Sequence, residues 1–67
     1  MERIKVYKEM YQKGMRVKLL YMNDPYSVPN GTEGTINFVD DMGTIHVNWD
    51  NGSTLGLIIG EDQFELI

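Results

Sequence analysis

His46 is the only histidine of the chain, and there is no cysteine, so nucleophilic catalysis would have to run through Ser27 or Ser53. A triad needs the imidazole within hydrogen-bond reach of a hydroxyl and a carboxylate. Ser27 falls in a turn-rich segment, Ser53 follows a hairpin turn, and His46 reads as mid-strand on an outer face, so the spacing assembles no triad. A solvated cross-strand histidine is the expectation. Asp40, Asp41, His46 and Asp50 flank one hairpin and are the candidates for a cation. A calcium loop wants acids at alternate positions and a glycine at the sixth, and Asn48-Trp49-Asp50-Asn51-Gly52 brings its glycine too early. Asp40 and Asp50 read instead as turn residues that bond the backbone. Phosphate cradling by Asn30-Gly31-Thr32-Glu33-Gly34 would require a following helix and a lysine; a strand follows, and Glu33 stands among the glycines. The expectation is therefore no enzyme, no metal and no cofactor.

Two binding surfaces are open to the remaining residues. Tyr21 and Tyr26 border the longest loop, with Asp24 between them to take a basic residue of a ligand. Together with Trp49 they are the candidates for an aromatic groove that receives an extended, proline-rich peptide. Trp49 comes late in its strand, which favours the core or the mouth of the fold over the groove. The other surface is basic. Arg3, Lys5, Lys8, Lys13, Arg16 and Lys18 all fall in the first 18 positions, a balance of +4 with Glu2 and Glu9, whereas eight acids and no Lys or Arg follow Lys18. Such an end suits a nucleic-acid phosphate patch, with Tyr7 or Tyr11 as a stacking face. It equally suits docking on the chain's own acidic body, or head-to-tail attraction between copies. The net charge of −4 opposes nucleic acid.

These side chains need elements to hold them. Ile4, Tyr7, Lys8 and Tyr11 recur at helical spacing with Met10 beside them, which predicts a two-turn amphipathic helix stopped near Gly14. A helix that short must lean on something. From Met15 the period becomes two: Val17, Leu19 and Tyr21 point inward, Arg16, Lys18 and Leu20 outward. Met22 to Gly31, with Pro25 and Pro29, is the long loop. Gly34 to Val39 is a strand with Ile36 and Phe38 inward; Asp40 to Gly43 is a turn. Thr44 to Asp50 is a strand with Ile45, Val47 and Trp49 inward, and Asn51-Gly52 marks a tight hairpin. Leu55, Leu57 and Ile59 face in from the fourth strand. After a turn at Gly60 to Gln63, Phe64 to Leu66 make a brief fifth, with Phe64 and Leu66 inward. Leu20, Val39 and Ile58 are left on the outer face, under the helix or on a self-association surface.

Sixty-seven residues hold one core, and a chain of this size buries only roughly 60% of its unfolded surface. Hydrophobic residues make up 42% of it, enough for a compact fold. No apolar run approaches the ~20 residues that cross a bilayer, and Met1 to Lys5 has no signal-peptide character, so a cytoplasmic protein without a membrane partner is expected, monomeric or weakly self-associating. The order of the elements predicts an all-β domain, a five-stranded SH3-like barrel over 14–67 preceded by a short N-terminal α-helix over 1–13.

From Gly14 onward the chain resembles a family of short bacterial and mobile-element proteins catalogued as a domain of unknown function. The resemblance rests on Gly14-Met15-Arg16-Val17, Met22-Asn23-Asp24-Pro25-Tyr26, Pro29 to Thr35, and above all His46-Val47-Asn48-Trp49-Asp50-Asn51-Gly52. It implies the SH3-like barrel with a short helix before the glycine, and no activity. A looser similarity runs to the barrels of ribosomal and transcription-elongation proteins through Gly14-Met15-Arg16-Val17 and Gly31-Thr32-Glu33-Gly34-Thr35-Ile36. Such phrases record sharp turns and packed valines. The function expected is a non-catalytic module binding a protein or peptide; the alternative is a nucleic-acid-associated accessory domain.

Overall fold

The structure is a computed structural model that describes residues 2–24 and 26–67; Met1, and Pro25 of the long loop, lie outside the described residues. A helix, α1 (Glu2–Met10), precedes five strands: β1 (Arg16–Tyr21), β2 (Glu33–Val39), β3 (Thr44–Trp49), β4 (Leu57–Ile58) and β5 (Gln63–Leu66). They form one antiparallel sheet in the order β4-β3-β2-β1-β5. The ladders do not close it into a ring; β4 and β5 are its two edges. Where the sequence predicts a closed barrel, the protein has an open sheet with one helix. The fold is mainly β.

The inner face gathers Val17 and Leu19 from β1, Ile36 and Val39 from β2, Ile45, Val47 and Trp49 from β3, and Leu57 from β4, all buried. Met22 and Val28 of the long loop join them. Gly34 faces the same core opposite Trp49. A Cβ there would stand 2.6 Å from Val47 Cγ1 and 2.9 Å from Trp49 Cε3, so the ring and the valine occupy the space a side chain would need. The tryptophan indole donates from Nε1 to the Leu55 carbonyl at 2.7 Å.

Alternation fails at two places, each through a register shift. The first lies between Leu19 and Tyr21, which face Phe64 and Gln63 of β5. Beyond it Tyr21 is half-exposed and Met22 goes inside, so Tyr21 is not the core residue the pattern predicts. The second lies between Ile36 and Phe38, opposite Val47 and His46, and leaves Asn37 as the additional residue. A bulge reverses the faces of everything after it. Phe38 consequently turns outward, 48% exposed, and Val39 turns in, 6% exposed, the reverse of the expected assignment. Leu66 is also half-exposed, because β5 is an edge. Leu55 and Phe64 are partly buried against the core. Leu20 and Ile58 lie outside as expected.

The hairpin after β3 is looser than Asn51-Gly52 suggests. Ser53 bonds Trp49, and Leu57 and Ile58 pair with Ile45 and Thr44, so one register runs through, but the chain lifts off the ladder between Ser53 and Leu57. The lifted carbonyl of Leu55 is the one the indole holds.

The helix ends where glutamine and glycine take over. Gln12 donates its side-chain amide to the Glu9 carbonyl at 2.9 Å, and Gly14 sits at φ +93°, a conformation that costs other residues dearly. Tyr7, Tyr11 and Met15 pack on the core, and Ile4 and Tyr7 lie over Gly43 in the β2–β3 turn. Val6 and Met10 stay half-exposed. No helix among the described residues is long and apolar enough to cross a membrane.

Candidate functional site

The β1–β2 loop is pinned at both ends. Met22 and Val28 anchor it in the core, Gly31 donates to Leu19, Leu19 donates to Thr32, and the Thr32 hydroxyl donates to the Pro29 carbonyl. Between the anchors Asp24 builds an Asx turn: its carboxylate accepts the Tyr26 amide at 2.7 Å and its carbonyl the Ser27 amide at 3.0 Å. Asp24 is thus a turn-former. The Tyr26 side chain is 85% exposed on that turn, and Tyr21 stands half-exposed where the loop begins. Trp49 does not join them. At 3% exposure it is a core residue with its polar atom satisfied, and it offers no face to a partner.

The basic third is partly neutralised from within. Arg16 grips Asp50 with both guanidinium nitrogens, at 2.8 and 2.6 Å, donates to the Thr35 hydroxyl at 2.9 Å, and reaches Glu33 at 3.5 Å. This fork geometry holds the Asp50 carboxyl below the usual carboxylate value and raises the Arg16 guanidinium. Lys8 pairs with Asp41 at 2.6 Å. Lys18 stands opposite Glu33 on one side and Glu65 on the other. Lys5 and Lys13 are exposed, as is Arg3. Among the described residues Arg16 and Lys8 are therefore tied to the chain's own acids and Lys18 is flanked by them, which is the intramolecular docking that the charge asymmetry allows.

His46 is neither alone nor simply solvated. Its Nε2 lies 2.8 Å from Asp40 Oδ2, and its ring stacks on Phe38 with centroids 4.3 Å apart and planes 8° from parallel. The other Asp40 oxygen accepts the amides of Met42 and Thr44 at 2.9 and 3.0 Å. The imidazole bond first, and then the Thr44 amide, pull the Asp40 carboxyl below its usual value. Neither serine completes this pair among the described residues: Ser53 Oγ accepts the Leu55 amide at 3.3 Å, and Ser27 belongs to the Asp24 turn. The four candidate cation ligands likewise divide. Asp40 is held with His46, Asp41 by Lys8 and Asp50 by Arg16, and the described residues include no cluster of three such groups.

A cleft of about 290 Å³ opens between α1 and β2. Lys8, Tyr11, Gln12 and Lys13 form one wall, and Asn37 and Phe38 the other. It exists because β2 outruns its neighbour. Ile36 bonds Met15 and Gly14 on that side, and the residues after it have the helix beside them in place of β1.

With the arrangement described, the comparison with known families bears on it directly: the model of the family described as "Domain of unknown function (DUF4314)" matches residues 1–67. The chain belongs to that family. No curated protein and no solved structure matches it. The DUF4314 match covers α1 as well as the strands, so the helix and its cleft are part of the family domain.

Sequence reasoning places Tyr26 of this DUF4314 chain in the exposed loop, counts Tyr21 both at that loop and in the core, and misses the Phe38–His46–Asp40 cluster. The missed signal is Phe38-Val39 itself. Two large apolar residues in succession at the end of an alternating strand demand that one face out, unless a bulge intervenes to choose which.

Proposed function

We propose that this chain is a non-catalytic interaction module that docks a protein or peptide partner on its β1–β2 loop. The observation that carries the reading is Tyr26, a large amphipathic side chain held 85% exposed on a turn fixed by Asp24. A tyrosine presented this way gives up little conformational freedom on binding, and burying its ring gains about 1.5–3 kcal/mol. Tyr21, half-exposed at the start of the same loop, widens the contact.

The framework we infer is an SH3-like barrel left open between its edge strands. The strand order β4-β3-β2-β1-β5, the long loop after β1 and the single turn joining Ile58 to Asp62 support it. The sequence resemblance supports a bacterial or mobile-element host; we further infer a cytoplasmic setting and a monomeric or weakly self-associating module. The nucleic-acid reading draws less support, since Arg16 and Lys8 are already paired with acids.

A photo-crosslinking residue at position 26, compared with one at exposed Asn48, tests the proposal in host lysate. A partner captured at 26 and absent at 48 is expected. The Tyr26→Ala variant should then bind that partner at least about tenfold more weakly, a loss of ~1.4 kcal/mol, with an unchanged melting temperature. Equal capture at both positions, or undiminished affinity of the variant, would remove the loop as the site.

A further inference from the structure

The α1–β2 cleft combines features that the loop reading does not use. Its strand wall carries Phe38, whose ring is backed by the parallel imidazole of His46 and still 48% exposed. An aromatic ring already stacked and held by a hydrogen-bonded neighbour is a rigid platform for one more planar group. The opposite wall carries two lysines, Lys8 of α1 and Lys13 just beyond its end, both exposed. The same lining holds two amides, Gln12 and Asn37. Gln12 spends its Nε2 on the Glu9 carbonyl and keeps its side-chain oxygen as an acceptor, and Asn37 is the residue the bulge sets apart from the ladder. A planar face, amides for a ring edge and cations for an anion are the complement of a base joined to a phosphate.

The size and the field limit that ligand to one unit. At about 290 Å³ the cleft falls just below the span of ligand sites, which run from roughly 300 to 1,000 Å³. The body after Lys18 carries eight acids, which repel a polynucleotide but tolerate one phosphate held at the lysines. We propose that the α1–β2 cleft binds a single nucleotide, its base on Phe38 and its phosphate between Lys8 and Lys13. Asp41 acts as the competitor, since it occupies Lys8 at 2.6 Å while itself 96% exposed. A surface pair of that kind is weak and readily exchanged.

The test is an amide NMR titration of the full chain, at low salt, with adenosine monophosphate, adenosine, ribose 5-phosphate and a short single-stranded oligonucleotide. Saturable shifts at Tyr11, Lys13, Asn37 and Phe38 are expected with the mononucleotide, and at least about tenfold weaker binding with either half alone. Phe38→Ala should abolish the shifts and Phe38→Trp restore them. Lys13→Glu should weaken binding, and Asp41→Asn should tighten it by about two- to threefold, the scale of an exposed ion pair, an effect that no merely structural role of Asp41 would produce. Tyr26→Ala should leave the titration unchanged. No shifts at millimolar nucleotide would overturn the proposal. So would ribose 5-phosphate matching the nucleotide, tighter binding by the oligonucleotide, or displacement by an acidic peptide at lower concentration.

Discussion

The two halves of β2 serve different ends. In the first half, Gly34 lies under Trp49, Thr35 accepts a hydrogen bond from Arg16, and Glu33 flanks the same guanidinium. Its inner side is filled and its outer side is closed by charge pairing. In the second half a bulge at Asn37 puts the smaller Val39 inside and the larger Phe38 outside, onto His46. One half spends its residues on holding the sheet. The other sacrifices a large apolar side chain from the core and places it beside a cleft. One added residue separates the two roles, which shows how little sequence a small domain needs to turn a packing strand into a displaying one.

The sharpest way to break this contrast is at Gly34. Gly34→Ala brings a methyl to 2.6 Å from Val47 and 3.0 Å from the Asn48 carbonyl, and the carbonyl cannot swing aside. Overpacking of this kind costs about 1–3 kcal/mol, a large share of the ~3–10 kcal/mol a domain of this length has in total. Urea unfolding followed by Trp49 fluorescence should show a markedly lowered midpoint with an unchanged slope. An unmoved midpoint would mean that the first half yields easily. Val39→Ala comes next, at about 1–3 kcal/mol for lost transfer and a residual cavity.

Acid should then affect both halves at once, through one carboxylate beside each. Asp50, held by Arg16, and Asp40, held first by His46, both titrate below the usual 3.8 when folded. The folded state therefore binds their protons less readily than the unfolded chain does, and the stabilisation is complete above that value and lost as pH falls through the lower, folded one. Melting temperature should be flat with respect to these two groups above about pH 5 and decline below pH 4. In Asp40→Asn/Asp50→Asn the curve should start lower and slope less. A double variant with the parent's acid slope would show that other carboxylates dominate.

Much of the framework around this contrast is legible in the sequence. The alternation of Val17 and Leu19, of Ile45, Val47 and Trp49, and the turn residues between them place five strands and most of the core. Tyr26 is legible as a loop residue because Asp24 and the prolines surround it. Both bulges escape the pattern, since a register shift is decided by which neighbour fills the core, and no residue type announces that. Sheet closure escapes too. It depends on whether β4 pairs with β5, and β4 is two residues long because the chain lifts away to let the Trp49 indole reach Leu55. The ion pairs of Arg16 and Lys8 span 34 and 33 positions, a separation that charge counting cannot see.

The smallest expected effect is the one that most directly tests the bulge. Phe38→Ala removes a larger side chain than Val39→Ala does, from the adjacent position, and size alone ranks it as the more damaging change. Because the ring is half-exposed and its main partner is an imidazole on the outer face, the loss should be at most about 1 kcal/mol. The stack supplies a second reading of the same variant. A phenyl ring 4.3 Å from the imidazole and nearly parallel to it shields the His46 ring protons, so their resonances should move downfield when Phe38 is replaced, while Val47 and Ile45 methyl signals stay in place. If Phe38→Ala instead destabilises as much as Val39→Ala and disturbs those core methyls, the phenyl ring lies inside, Asn37 is not the additional residue, and both halves of β2 serve the core alike.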